Sequence, residues 1–113
     1  MYVEMRTYTI QVAKAAEYFR NYEEFGMKPQ LRHLPHMVGY YVTELGPLNQ
    51  IIHMWGYDSL DQRDQCRAAM SADPDWKVYL SKNQQFILSQ DTKVLKCAPF
   101  FLPRLKAMLG AVK

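Results

Sequence analysis

The sequence is short of cysteine, long apolar runs and like-charged blocks, and each shortage excludes a class of protein. Its two cysteines, Cys66 and Cys97, belong to no CxxC motif and have no histidine at metal-ligand spacing. Disulfide scaffolds and zinc sites use more cysteines, closer together, so we expect reduced thiols and no metal site. No apolar run approaches the roughly 18 residues that a membrane helix needs. We therefore expect no membrane span.

The charge of the chain is mild and mixed. Lys and Arg number 14 against 11 Asp and Glu, a net charge of +3, and no five like charges follow one another. Nucleic-acid binders usually gather basic residues on one face, so we expect no nucleic-acid partner. Residues 1–6 lack the basic and then apolar regions of a secretory signal. These features together lead us to expect a cytoplasmic protein.

The periodicity of the first third predicts a strand and then a helix. Tyr2 to Ile10 alternates strictly, as a strand does. From Ala13 onward, apolar residues recur every three or four positions, which is typical of an amphipathic helix. Gly26 and Pro29 predict a kink or a restart in this helix, which ends by Leu34-Pro35.

The middle of the chain predicts a β-hairpin. Met37 to Leu45 is rich in Val, Tyr and Thr, which favours a second strand. The residues Gly46-Pro47-Leu48-Asn49 are typical of a turn, and Gln50 to Tyr57 is the third strand. Two strands joined by so short a link pair antiparallel.

The remainder predicts further helix and a last strand. A helix opens at Asp58 or Ser59 and ends at Asp73-Pro74, where Pro74 suits the first turn of a following helix. A final strand lies between Ile87 and Phe100. The resulting order, β-α-β-β-α-β, predicts an α+β ferredoxin-like fold: one antiparallel four-stranded sheet with its helices on one face. We expect a domain over residues 1–103 and a tail, 104–113, packed on the domain or on a partner subunit.

The strand alternation divides the sheet into two faces. We predict that Ile52 and Met54 lie beneath the helices, because they are small or flexible apolar residues. The opposite, free face would then carry a polar and aromatic set: Glu4, Arg6, Tyr8, His53, Trp55 and Tyr57. Such a face is too aromatic for water and too polar for a dry core. We therefore predict a homodimer whose two sheets close into a barrel, with a cavity able to hold a small ligand.

The chain also resembles a known family. The stretch Glu44-Leu45-Gly46-Pro47-Leu48-Asn49-Gln50, followed by His53-Met54-Trp55-Gly56-Tyr57-Asp58-Ser59 and Arg63, is similar to the signature of the NIPSNAP domain. Further matching segments are Glu4-x-Arg6-x-Tyr8, Val38-Gly39-Tyr40 and Trp76-x-x-Tyr79-Leu80. The resemblance extends to about Pro103.

Membership in that family would imply the dimeric α+β barrel superfamily. NIPSNAP domains of animals are associated with vesicular transport and mitochondria, but this short chain looks like a bacterial single-domain member, so those roles are not carried over. The superfamily also contains cofactor-independent monooxygenases and haem-binding proteins. Its fold alone therefore selects no activity.

His53 is the best candidate for a catalytic residue. A histidine beside Tyr and Trp can act as a general base near neutral pH. The alternative is a structural histidine that is hydrogen-bonded to a group on a neighbouring strand, with Glu4, Arg6 and Glu44 as the leading partners. No nucleophile or paired carboxylate lies at fixed spacing from it, so both roles stay open.

The other ligand-binding candidates are charged or aromatic. Glu4 and Arg6 could hold an anionic substrate, or they could pair with each other or reach Glu44 or His53. Arg63 is expected to find a specific acceptor, such as a strand carbonyl or Asp58. Flat ligands could stack on aromatic residues, which more often fill a core. The aromatic candidates are Tyr8, Tyr40, Trp55 and Tyr57.

Two functions follow from these candidates. One is a dimeric protein that binds a small aromatic or anionic ligand without turnover. The other is a cofactor-independent monooxygenase or isomerase acting on a small aromatic substrate. No GxGxxG motif follows a strand, and we expect no cofactor.

Overall fold

The computed structural model of the protein, which describes residues 1–111, contains one four-stranded antiparallel sheet. Its strands are β1 (Tyr2–Ile10), β2 (Met37–Val42), β3 (Gln50–Tyr57) and β4 (Ile87–Lys96), in the order β2-β3-β1-β4. The predicted ferredoxin-like fold is therefore confirmed. The second strand ends at Val42, three residues earlier than predicted, and β1 and β3 have the predicted bounds.

The first helical segment is interrupted where the sequence predicts. It consists of α1 (Ala15–Asn21), a π-helical turn (Tyr22–Gly26) and α2 (Met27–His33). A Cβ on Gly26 would lie 2.6 Å from Cδ1 of Tyr79, so only glycine lets this turn approach the facing helix so closely. The restart at Met27 places Pro29 in the first turn of α2, where a proline is tolerated.

The second helical segment follows β3 and has two capped helices. These are α3 (Leu60–Ala72) and α4 (Pro74–Asn83), followed by a 3₁₀ turn at Gln84–Phe86. The hydroxyl of Ser59 accepts a hydrogen bond from the Gln62 amide, at 3.0 Å, and so caps α3. The carboxylate of Asp73 caps α4 in the same way, and Pro74 is the first residue of that helix.

A last helix, α5 (Leu102–Ala111), follows the sheet and includes the buried Leu105. The predicted tail, residues 104–113, therefore continues a helix that begins at Leu102, and residues 112 and 113 lie outside the described part of the chain. Packing of the tail on a partner subunit stays a prediction. None of the helices within residues 1–111 is long and apolar enough to cross a membrane.

The two faces of the sheet are reversed relative to the prediction. His53 and Trp55 point toward the helices and are 2% and 0% exposed, while Ile52 and Met54 lie on the other face and are partly exposed. The reason is that the helices present an aromatic layer rather than an aliphatic one. Trp55 and Tyr57 pack there against residues of the helical segments, namely Tyr22, Leu34, Met70, Trp76 and Tyr79. Strand alternation correctly predicted which residues share a face of the sheet. The size of the side chains, however, led to the wrong prediction of which face lies beneath the helices.

The face away from α1–α4 carries a patch of apolar side chains beside charged residues of β4. Strand register places Met5 opposite Met54 and Val3 opposite Leu95, so these side chains share that face. We call it the apolar sheet face, and its members are Val3, Met5, Val38, Ile52, Met54 and Leu95. Phe101, just before α5, borders a shallow groove on this face.

Candidate functional site

A cavity of about 240 Å³ lies between the sheet and the helices of a single protomer. Strands β1–β4 and helices α1–α4 all contribute to its wall. Its exposed lining residues, Ser71, Gln84 and Gln90, mark the side on which it reaches solvent. The complete lining is Arg6, Tyr8, Tyr18, Gln30, Tyr40, His53, Arg67, Ser71, Trp76, Tyr79, Leu80, Asn83, Gln84, Ile87 and Gln90.

His53 stands at the sheet side of this cavity and is held by its own strand. The indole Nε1–H of Trp55 donates a hydrogen bond of 2.6 Å to Nδ1 of His53. Because Nδ1 is an acceptor here, the neutral ring carries its proton on Nε2. That Nε2 atom is buried and has no hydrogen-bond partner within residues 1–111. It therefore offers an unused N–H donor.

The surroundings of His53 keep the imidazole neutral. Burial lowers its pKa to about 3, and the positive charges of Arg6 and Arg67 act in the same direction. The ring is also fixed in place: Tyr40 stacks on it with centroids 4.8 Å apart, and Tyr8 meets its edge at 4.9 Å. The imidazole is thus a rigid, uncharged donor at neutral pH.

Glu4 is a fully buried carboxylate surrounded by three arginines. The guanidinium group of Arg63 donates to it through Nε, at 2.7 Å, and through NH2. Arg67 NH1 lies 3.3 Å from the same carboxylate, and Arg6 NH1 lies 3.6 Å from it. The Tyr57 hydroxyl lies 3.4 Å away. Buried charges need such partners, so this group is a structural ion cluster.

The arginines outnumber the acids on the cavity side. Arg63 has a second carboxylate, that of Asp64, at 3.1 Å. Within residues 1–111, Arg6 and Arg67 pair only with Glu4, and both line the cavity. Arg6 also donates from Nε to the Tyr8 hydroxyl at 2.8 Å. The wall beside His53 is therefore net positive.

Tyrosines of β2, α1 and α4 form a further part of the cavity wall. Burial raises the pKa of Tyr40 and Tyr18 well above the usual range, and the neighbouring Tyr79 raises both further. Asn83 ties the cluster together by donating to the Tyr79 hydroxyl at 3.1 Å and to the Tyr18 carbonyl at 2.9 Å. These hydroxyls stay neutral at pH 7 and act as hydrogen-bonding groups rather than bases.

Gln30 of α2 supplies a second unused polar group. Its side chain is 3% exposed and lines the cavity, and its Oε1 atom has no hydrogen-bond partner within residues 1–111. The two ends of an amide can exchange by rotation, so Gln30 can present either an acceptor or a donor. A polar ligand group can therefore bond to it in either orientation.

The site residues predicted from the sequence lie in different parts of the structure. Four of the predicted residues line the cavity: Arg6, Tyr8, Tyr40 and His53. Glu4, Tyr57 and Arg63 form the ion cluster, and Trp55 holds the His53 ring. Glu44 is exposed in the β2–β3 loop and, within residues 1–111, forms no hydrogen bond or ion pair with these groups.

One predicted partnership is wrong. His53 bonds to Trp55 of its own strand rather than to Glu4, Arg6 or Glu44. Arg63 has a specific acceptor, as expected, and this acceptor is the carboxylate of Glu4 on β1 rather than a strand carbonyl or Asp58. Strand alternation does place His53 and Trp55 side by side, but it does not reveal a hydrogen bond between two ring nitrogens.

Sequence reasoning missed several residues of the cavity. Arg67 follows Arg63 by four residues, one helical turn, and this spacing could have indicated that both reach one acceptor. Asn83 follows Tyr79 by the same spacing. Gln30 carried no signal, because a single glutamine in a helix is normally exposed.

The arrangement suits binding more directly than proton transfer. A general base needs a free lone pair, whereas Nδ1 of His53 is occupied by Trp55 and Nε2 carries the proton. The cavity instead presents hydrogen-bond donors and a positive wall. Among residues 1–111, no group of three His, Cys, Asp or Glu side chains is placed to hold a metal ion.

Comparisons with solved structures agree with this fold. A protein of Agrobacterium tumefaciens is 38% identical, with a TM-score of 0.86, and the match covers 88% of this chain and 96% of that one. A NIPSNAP-like domain protein from Burkholderia xenovorans is 34% identical, with a TM-score of 0.85, covering 88% and 86%. An antibiotic biosynthesis monooxygenase is 12% identical, with a TM-score of 0.63, covering 88% and 100%. This last likeness shows the fold alone.

Relatives among curated proteins carry the same family name. Protein NipSnap homolog 3B of Mus musculus is 29% identical over 101 residues, and NipSnap homolog 3A of Homo sapiens is 28% identical over 103. Each match covers 88% of this chain but 40% of the relative, so the chain spans well under half of their length. The family model NIPSNAP matches residues 3–101. The chain belongs to the NIPSNAP family.

Proposed function

We propose that this NIPSNAP-family protein binds a small aromatic or anionic molecule in the cavity between its sheet and its helices. The observation that supports the proposal is that two residues lining the cavity, His53 and Gln30, each carry a buried polar atom without a partner within residues 1–111, Nε2 and Oε1 respectively. An unsatisfied buried polar group costs about 1–3 kcal/mol. A ligand that bonds to both groups recovers this free energy on binding.

The size and lining of the cavity narrow the class of ligand. Sites for drug-sized molecules have volumes of about 300–1,000 Å³, so a cavity of about 240 Å³ suits a smaller compound of one ring. Tyr8, Tyr40 and Trp76 offer aromatic surface, while Arg6 and Arg67 offer positive charge. A flat molecule with one polar end matches this lining.

We further propose that two copies pair through the apolar sheet face. Met54, Val38 and Leu95 line its groove, and a second copy would remove these side chains from water. Because the polar and aromatic face of the sheet lies beneath the helices, the cavity is formed by one protomer alone. The dimer is therefore not needed to form the ligand site. The barrel interior between the sheets would be apolar rather than the ligand site.

The cytoplasm is the compartment we propose. Cys66 and Cys97 are free thiols in the structure, as proteins of a reducing compartment usually keep them.

The alternative function is a cofactor-independent monooxygenase or isomerase. The 12%-identical monooxygenase supports it only through the shared fold, which many activities use. Binding without turnover fits better, because His53 presents a donor and the tyrosines are neutral. Oxygen consumption or product formation with a bound aromatic compound would favour the enzyme instead.

A cavity-blocking variant tests the ligand site. We would measure melting temperatures with a panel of one-ring aromatic compounds, anionic, neutral and cationic, for the wild type and for Ser71→Phe. Ser71 lines the mouth, and Ser81→Phe on exposed α4 is the matched control. A ligand at a hundred times its Kd stabilises by about 2.7 kcal/mol, so the melting temperature rises measurably.

The expected outcome is stabilisation of the wild type and of Ser81→Phe, with little or none for Ser71→Phe. If no compound of the panel stabilises the wild type, or if Ser71→Phe responds equally, the cavity is not the binding site.

A further inference from the structure

The cavity has its positive charge at one end, beside His53. Arg6 lies directly opposite His53 in the β1–β3 register, on the same face of the sheet. Arg67 comes from α3 above them, and both arginines line the cavity. Because Glu4 is their single shared carboxylate within residues 1–111, this end retains positive charge. It therefore favours a negatively charged ligand group.

The donors at this end fit a carboxylate. His53 offers Nε2–H from a ring held rigid by Trp55 and Tyr40. Arginine forks match the planar geometry of a carboxylate, and a neutral imidazole N–H adds a third donor. A carboxylate accepts several hydrogen bonds at once, so one group can bond to His53 while facing both guanidinium groups.

The side chain of Gln30 indicates which second polar group the ligand carries. This amide comes from α2, in the helix layer, whereas His53 comes from the sheet, so the two unpaired groups belong to opposite walls of the cavity. Gln30 can present an acceptor or a donor, and a hydroxyl group can bond to either. The walls between them are aromatic side chains such as Tyr40 and Trp76.

We infer that the ligand of this cavity is a small hydroxy-substituted aromatic carboxylate. Its carboxylate accepts a hydrogen bond from His53 Nε2–H and faces the guanidinium groups of Arg6 and Arg67. Its hydroxyl group bonds to Gln30. This inference rests on the proposed binding function and gives its chemical class.

Paired probes test the class by titration calorimetry. We would compare 3-hydroxybenzoate with 3-hydroxybenzamide, which has the same shape and no charge, and with benzoate, which lacks the hydroxyl. The variants are Arg67→Gln, which removes a cavity charge, and Arg20→Gln, which removes the same charge from the exposed surface of α1.

We expect the wild type and Arg20→Gln to bind 3-hydroxybenzoate at least tenfold more tightly than the amide, and several-fold more tightly than benzoate. Arg67→Gln should reduce the preference over the amide to about twofold. If Arg67→Gln does not fold, the wild-type preference must still weaken as salt is added, because salt screens a charge contact at a cavity that reaches solvent.

Equal affinity for the acid and the amide would overturn the carboxylate assignment. Equal affinity for benzoate would overturn the role of the hydroxyl. If neither hydroxy compound binds while other compounds of the panel bind and Ser71→Phe blocks them, this inference fails and the proposed function stands. If nothing binds at the cavity, both fail.

Discussion

Trp55 donates its indole N–H to Nδ1 of His53 at 2.6 Å, from two residues further along the same face of β3. This bond decides which nitrogen of His53 carries the proton. It also leaves the buried Nε2–H of this cavity-lining residue without a partner within residues 1–111. A tryptophan that looks like simple core packing thus determines the chemistry that its neighbour can perform.

Replacing His53 should destabilise the protein. In His53→Ala the buried Trp55 N–H loses its acceptor, and an unsatisfied buried donor costs about 1–3 kcal/mol. Urea unfolding would measure the change, with His36→Ala, at a partly exposed histidine outside the cavity, as the control. A free energy of unfolding equal to that of the wild type would contradict the hydrogen-bond assignment.

His53 should also make stability depend on pH. Its folded pKa of about 3 is far below the usual 6.5, so below pH 6.5 the unfolded chain binds a proton that the folded chain does not. Stability should therefore fall as the pH falls from about 6.5 toward 3, by up to about 1.4 kcal/mol per unit.

The variant His53→Gln isolates this contribution, because glutamine does not titrate. Its stability should change less between pH 6.5 and 4 than that of the wild type. Asp73, whose pKa is lowered to about 2 by the hydrogen bond with His33, changes the stability mainly below this pH range. Its contribution is the same in both proteins. Parallel pH profiles would show that His53 takes up a proton equally in the folded and unfolded states, and they would contradict the lowered pKa.

Glu4 should be the most sensitive charged position. Glu4→Gln removes the shared carboxylate of Arg6, Arg63 and Arg67, and breaking a buried ion pair costs about 3–5 kcal/mol. The control Glu17→Gln removes an exposed ion pair with Lys14 and should cost less than about 1 kcal/mol. Thermal melts of both variants at low and high salt would check this. If both variants lost the same small amount of stability, the buried ion cluster around Glu4 would be contradicted.

Charge on the apolar sheet face should prevent pairing. Met54→Lys places an ammonium group in the proposed dimer interface, whereas Val78→Lys places it on the exposed surface of α4. Light scattering should give twice the 13.3 kDa chain mass for the wild type and Val78→Lys, and the monomer mass for Met54→Lys. A wild-type monomer at micromolar concentration would contradict the dimer.

The order and bounds of the elements could be predicted because their signals are local. Alternation defines β1 and β3, and the capping residues Ser59 and Asp73 mark where α3 and α4 begin. The choice of sheet face is not local. It depends on what the helices present, and Tyr22, Trp76 and Tyr79 make that layer aromatic enough to receive His53 and Trp55.

The candidate site was predictable in part for the same reason. Arg6 and Tyr8 share one face of β1 by alternation, and strand pairing places His53 of β3 on the same face of the sheet. Gln30 and Arg67 reach the cavity from separate helices, and their position depends on how the helices pack. No spacing within the sequence brings Gln30 to His53.

Nitrogen-detected NMR of ¹⁵N-histidine-labelled protein would observe both ring nitrogens of His53 with and without a ligand. We expect a neutral ring at pH 7 with the proton on Nε2, unchanged down to about pH 4, and a shift of the Nε2–H signal on adding 3-hydroxybenzoate. A proton on Nδ1, a charged ring, or binding that leaves the His53 signals unmoved would contradict this expectation.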